Sequence, residues 1–242
     1  MINAVNVKKN FRNKKGVHEV LKSITIDIQP GKLTALVGKN GAGKTTLLRL
    51  IAGLNDIDGG ELFIGGEPHT TKTLSQRKNI GVLFGGDAGL YNRLTVREHL
   101  LYYGYLYGVD ESTLEERISL LEKDFQMETY MNRRVKDFSK GMKQKAAISK
   151  TMVHDPDIYL FDEPTTGLDI AGSNMFREKM LELKTKKNKT VLFSTHNMEE
   201  VALCDNVIIL HEGTIHYEGP LDALYKENSG RDLNQIVMNL IN

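Results

Sequence analysis

The sequence predicts an α/β fold: a mostly parallel sheet with an antiparallel β edge and an inserted α-helical subdomain. Five short, nearly continuous apolar runs, at 33–37 (LTALV), 80–83 (IGVL), 158–161 (IYLF), 191–193 (VLF) and 207–210 (VIIL), have the pattern of strands buried on both faces. Helical stretches such as 44–52 and 170–186 lie between several of them, giving strand, crossover helix, strand. Between Gly89 and His154 the buried-strand signal stops and helix starts take over.

Each element has its reason. Residues 4–7 and 21–28 alternate apolar and polar, with Leu21, Ile24, Ile26 and Ile28 on one side after a change of frame, and Pro30-Gly31 closes this antiparallel edge. In the helical stretch, Thr95 with Glu98 and Ser112 with Glu115 have capping-box spacing, and Val96, Leu100, Tyr103 and Tyr107 fall on one face. The expected division is a core at 1–87 and 155–225, a helical subdomain at 88–154 and a tail at 226–242. The tail residues Leu233, Ile236, Val237, Leu240 and Ile241 have helical spacing, suited to packing on their own core or on a partner.

Composition narrows the class. With 242 residues, 40% hydrophobic and 26% charged, the chain suits one globular core with an appended lobe, and a net charge of +1 argues against a general nucleic-acid binder. Cys204 is the single cysteine, so no internal disulfide exists and a buried packing role is expected. The N-terminal stretch MINAVNVKKNFRNKK lacks the apolar core of a signal peptide, and no run reaches the roughly 18 apolar residues of a membrane span.

Chemistry concentrates at three strand ends. GKNGAGKTT, at 38–46, follows an apolar strand and opens a helix, so Gly38, Asn40, Gly41, Ala42, Gly43, Lys44, Thr45 and Thr46 form a candidate phosphate-binding loop. Glycines let the backbone approach an anion, Lys44 reaches the β- and γ-phosphates, and the Thr45 hydroxyl suits Mg²⁺. IYLFDE ends a buried strand on two carboxylates: Asp162 suits the metal's hydration shell, and Glu163 suits activation of a water attacking the γ-phosphate. Ser194-Thr195-His196 ends the next strand, where His196 could hydrogen-bond the γ-phosphate or hold that water without being the base. Lys44, Glu163 and His196 are thus the candidate catalytic residues of a P-loop NTPase core.

Together with FSKGMKQK (138–145) and Thr166-Gly167-Leu168-Asp169, these motifs resemble the ATP-binding-cassette ATPases of ABC transporters, from Ile2 to about Tyr225. The resemblance implies ATP and Mg²⁺ as cofactors and a head-to-tail homodimer, in which Ser139 and Gly141 of one subunit close over the ATP held by a second copy. It implies that Asp169 touches that copy, that Phe11 stacks on adenine, and that a separate transmembrane permease subunit holds the protein at the cytoplasmic face. Lys140 and Met142 replace the family's usual Gly and Gln; Lys140 could add charge at the phosphate or face solvent. The metal-binding Gln expected after 80–83 is missing: Gly85 or Gly86 takes its place, and Asp87 could supply an oxygen. FGGDAGLYNRLTVREHL and YEGPLDALY look like NatA-type ATPases of bacterial exporters linked to sodium extrusion, although similar ATPases serve antibiotic, peptide or lipid export. Cassette ATPases acting on nucleic acid or ribosomes usually carry two cassettes or basic insertions, which this chain lacks. Tyrosines 91, 102, 103, 105 and 107 crowd the helical stretch and as a group suggest docking to a membrane subunit.

Overall fold

The computed structural model describes residues 1–13, 16–85, 89–228 and 232–241. β1 (Ile2–Asn13) pairs antiparallel with β2 (Gly16–Ile28), and the change of frame is a β-bulge: Ser23, at φ 144°, lets Leu21, Ile24, Ile26 and Ile28 all face the core. β3 (Leu33–Val37) leads into α1 (Lys44–Ile51), and β4 (Gly59–Ile64) with β5 (Glu67–Pro68) completes an antiparallel sheet ordered β2-β1-β4-β5. A short α2 (Leu74–Arg77) precedes β6 (Ile80–Leu83), after which come α3 (Val96–Leu106), α4 (Glu111–Asp124) and α5 (Lys140–Met152). The chain then alternates β7 (Ile158–Asp162), α6 (Ile170–Thr185), β8 (Thr190–Ser194), α7 (Met198–Val201) and β9 (Asn206–His211), and ends with β10 (Thr214–Pro220), α8 (Leu221–Glu227) and α9 (Leu233–Leu240).

The five apolar runs are the parallel strands of a second sheet, ordered β10-β9-β3-β8-β7-β6, with β10 its antiparallel edge. Their continuity follows from burial on both faces. Ala35, Phe161, Phe193 and Ile209 face the α3–α6 side, while Leu36, Leu160, Leu192 and Ile208 face α1 and the antiparallel sheet. All phosphate-site motifs fall where β3, β7 and β8 end, at the carboxyl edge on which ligands of open α/β sheets bind.

In the helical stretch, Thr95 Oγ1 accepts from the Glu98 N–H (3.1 Å) and Glu98 Oε2 accepts from the Thr95 N–H (2.7 Å), closing the expected capping box. The Ser112–Glu115 box does not form. Asp110 caps α4 instead, its Oδ1 accepting from the Thr113 N–H (3.0 Å) and the Ser112 hydroxyl (2.7 Å), while Glu115 takes two bonds from Arg97 (2.6 Å each). A carboxylate is as good a cap as a hydroxyl and adds favourable charge at the helix start.

Tyr107 stacks on His154 with ring centroids 3.8 Å apart, joining the end of α3 to the segment after α5. Burial, assisted by the Arg117 and Lys189 charges, pushes the His154 imidazole from 6.5 down to about 4. The unfolded chain therefore takes up this proton first as pH falls. The stability due to neutral His154 is full above about pH 6.5 and is lost toward pH 4, by about 3 kcal/mol. In urea melts across that range the wild type is expected to lose about 3 kcal/mol more stability than His154→Phe, which has no imidazole to protonate; parallel pH curves would refute the assignment.

Of the two places open to the tail, the structure shows its own core: Leu233, Ile236, Val237 and Ile241 are buried in the cluster that contains Phe193, and the Lys39 ammonium donates to the Ile241 carbonyl (2.9 Å). Cys204 is buried and donates to the Glu200 carbonyl (3.4 Å); burial pushes its thiol pKa far up, in keeping with a packing role. Among the described residues no helix is long and apolar enough to cross a membrane.

Candidate functional site

Gly38 follows directly on β3, and a Cβ there would lie 2.1 Å from the Leu210 carbonyl oxygen, so no larger residue fits. Gly43, at φ 111°, turns the chain into α1, whose first turn receives no side-chain cap. Its N–H groups and helix dipole are thereby left for an anion. Lys44 arches back over the loop and donates to the carbonyls of Gly38 (2.6 Å) and Lys39 (3.3 Å). Burial pulls its pKa below the usual ammonium range, against the opposing pull of the Glu163 and Asp162 carboxylates. Asn40, Gly41, Gly43, Lys44, Thr45, Thr46 and Glu163 line one cleft of about 320 Å³, and Ala42 is buried beneath the loop.

The two acids differ in setting. Asp162 is buried, with Oδ2 accepting from the Thr45 hydroxyl (2.7 Å) and Oδ1 from the Ser194 hydroxyl (2.6 Å). Glu163 lies just past β7 at φ 49°, a left-handed conformation that costs a non-glycine residue of order 1–3 kcal/mol. Its Oε1 is 3.0 Å from His196 Nε2, which also lies 3.1 Å from Asn40 Oδ1 and 3.4 Å from Lys44 Nζ. A proton on Nε2 satisfies both oxygens. The histidine thus joins the candidate base to the candidate phosphate loop.

Mg²⁺ commonly binds through one or two carboxylates, substrate phosphates and water. Among the described residues no three His, Cys, Asp or Glu side chains gather in metal-binding geometry, and the Thr45–Asp162 oxygen pair beside the loop fits that sparse requirement.

A second cleft, of about 760 Å³, shares Thr45 and Glu163 with the first and reaches Lys140 and Gln144 of α5. Ser139 caps α5, accepting from the Met142 N–H (3.2 Å), and Gly141 approaches the Gly167 carbonyl. Lys140 is exposed, its stem lying across Gly167 of its own chain. Asp169 caps α6, accepting from the Gly172 N–H (2.7 Å). Phe11 is 43% exposed and stands opposite His18 in the β1–β2 pair. Gly85 lines the second cleft, whereas Gly86 and Asp87 lie outside the described residues. Two contacts escaped the sequence reading: the Ser194 hydroxyl, and the Gln144 amide donating to the Pro164 carbonyl (2.6 Å). Their place beside recognised motifs was the only available signal.

Residues 21–166 match the family model described as ABC transporter. The chain is 48% identical over 239 residues to the "ABC transporter ATP-binding protein NatA" of Bacillus subtilis, covering 98% of this chain and 97% of that protein. It is 34% identical to the "Nod factor export ATP-binding protein I" of Burkholderia lata, covering 96% and 74%. Among solved structures, an ATP-binding subunit of an ABC transporter superposes with a TM-score of 0.90 at 30% identity over 99% of both chains. An ATP-binding cassette solved as a dimer in a post-hydrolysis state with ADP and Pi superposes with a TM-score of 0.84 at 25% identity, covering 91% of this chain and 99% of that one.

Proposed function

This chain belongs to the ABC transporter family as an ATP-binding, ATP-hydrolysing subunit, and from that premise we propose that it is the motor of a sodium exporter, closing as a head-to-tail homodimer on two ATP molecules to drive a separate membrane subunit. The meeting of Thr45, Asp162, Glu163 and His196 at one sheet edge supports the hydrolytic part of the reading, and the 48% identity to NatA is what suggests sodium.

In this mechanism the loop 38–46 and the start of α1 wrap the β- and γ-phosphates, and Lys44 turns its ammonium from the Gly38 carbonyl to them. Thr45 and Asp162 hold Mg²⁺, which when bound neutralises charge on the phosphate oxygens. Glu163 accepts the proton of the attacking water, and His196 keeps the Glu163 carboxylate in register with the loop. Phe11 stacks on adenine. Ser139 and Gly141, at the N-terminus of α5, meet the γ-phosphate held by a second copy, and Asp169 lies at that interface. Closure moves the helical subdomain at 88–154 against the core at 1–87 and 155–225. The exposed tyrosines Tyr91, Tyr102 and Tyr105 then transmit the movement to the membrane subunit, which keeps the protein at the membrane's cytoplasmic face.

Inverted vesicles carrying the chain and its membrane subunit test this reading. ATP is expected to drive sodium accumulation, and Tyr102→Ser with Tyr105→Ser is expected to abolish transport and co-purification while the isolated chain keeps its ATPase rate. Unimpaired co-purification of the double variant removes the docking surface. ATP-driven movement of an organic solute without sodium favours a second reading, suggested by the Nod factor export relative.

A further inference from the structure

We propose that Ser194 is a positioning residue that locks the metal-holding Asp162 and the base Glu163 into one unit; the proposal rests on the roles given to those two acids above. The basis is a continuous relay. The Thr45 hydroxyl donates to Asp162 Oδ2 (2.7 Å), the Ser194 hydroxyl donates to Asp162 Oδ1 (2.6 Å), and the Glu163 N–H donates to Ser194 Oγ (2.9 Å).

A serine hydroxyl has one proton and gives it once. Because Asp162 carries only acceptors when ionised, the Ser194 proton goes there, and an oxygen lone pair is left facing the Glu163 N–H. The direction of the relay is therefore fixed. Ser194 has no exposed surface, so water cannot stand in for either bond. The bond to the carboxylate is charge-assisted, the stronger class of hydrogen bond.

Glu163 needs such an anchor because its φ of 49° is one that a glutamate does not choose unaided. The remaining restraint on its N–H is the Ser194 carbonyl at 3.2 Å. Through the hydroxyl, the backbone that carries the base is referenced to the carboxylate that sets the metal, and through Thr45 to the phosphate loop. A base displaced relative to the phosphate by about 1 Å loses on the order of a hundredfold in rate. Alanine at 194 leaves Asp162 Oδ1 without this donor and Glu163 with its longer bond alone.

The test compares wild type, Ser194→Ala, Ser194→Thr and Glu163→Gln by steady-state turnover, thermal melting, and calorimetric binding of ATP in EDTA and across a Mg²⁺ titration. Ser194→Ala is expected to lower kcat about 10- to 100-fold with KM for ATP within about twofold, because the loss is one of geometry in the transition state. ATP affinity in EDTA is expected to be unchanged, while the Mg²⁺ concentration that half-supports ATP binding rises about threefold or more as Asp162 loses its second donor. Ser194→Thr, which keeps the hydroxyl, is expected to recover most of the turnover. Should its extra methyl prevent folding, Ser194→Cys, a weaker donor of similar size, replaces it with intermediate turnover expected. A Ser194→Ala variant within about twofold of wild type in kcat, or one whose ATP binding in EDTA falls as far as its kcat, overturns the proposal. If Ser194→Ala is silent while Glu163→Gln is inactive, the proposal fails alone; near wild-type turnover by Glu163→Gln defeats the underlying roles instead.

Discussion

Glu163→Gln is expected to bind ATP with Mg²⁺ almost as wild type does, to lose about 10²- to 10⁴-fold in turnover, and to accumulate as a dimer on gel filtration in ATP. The substitution preserves shape: the glutamine oxygen takes the Oε1 position and accepts from His196 Nε2, 3.0 Å from that atom in the wild type. The amide NH2 takes the Oε2 position, 3.5 Å from the Thr166 hydroxyl, and donates to that oxygen instead of accepting from it. What it removes is the acceptor for the water's proton, and with it a negative charge facing the γ-phosphate. Binding and closure are therefore kept, and the hydrolytic step that reopens the dimer is lost. The same carboxylate is the larger of the two that support the charge on Lys44, so without nucleotide the variant's ammonium is easier to deprotonate, and bound phosphate restores it. Single-turnover assays beside calorimetry separate these effects. Near wild-type hydrolysis would remove Glu163 as the base.

The sequence made the parallel sheet readable because burial on both faces strips the polar residues from its strands: β3, β7 and β8 have no exposed position. The strands it did not reveal are those that bury little. β4 buries only Leu62 and Ile64 after a Gly-Gly start, and β10 buries none of its residues, so neither has an apolar run to detect. The α4 cap was misassigned because Asp110, just before the helix, and Ser112, in its first turn, both have suitable chemistry, and the choice depended on where that turn begins. At the candidate site, the loop 38–46 and the Asp162-Glu163 pair stand out in the sequence because backbone geometry and charge restrict which residues can stand there. Ser194 was not, since a serine at a strand end has no distinguishing pattern until β7 and β8 are paired with Asp162 opposite it. Lys140 was ambiguous for a related reason: only the approach of Gly167 shows which way its stem lies.

Ser139→Arg is expected to leave ATP binding to the isolated chain intact while abolishing both ATP-induced dimers and cooperative hydrolysis. The cap it removes, the Ser139 hydroxyl accepting from the Met142 N–H, contributes about 1 kcal/mol. Helix α5 is held independently by Ala146, Ala147, Ile148 and Met152 in the core, so the fold tolerates the loss. Ser139 also lines neither of the two clefts that meet at Thr45 and Glu163, so a nucleotide held by the chain's own loop is undisturbed. The effect falls on the second copy. Free N–H groups at the start of α5 can bond a γ-phosphate only at about 3 Å, and a long side chain at the cap position keeps the partner's loop beyond that distance. Ser139→Thr, which keeps the capping hydroxyl, is the matched control and is expected to dimerise. In the Glu163→Gln background, where the closed state lasts, gel filtration in ATP reads the outcome directly: a monomer for the Ser139→Arg double variant supports closure in trans, and a dimer with cooperative hydrolysis in the single variant would place Ser139 outside the interface.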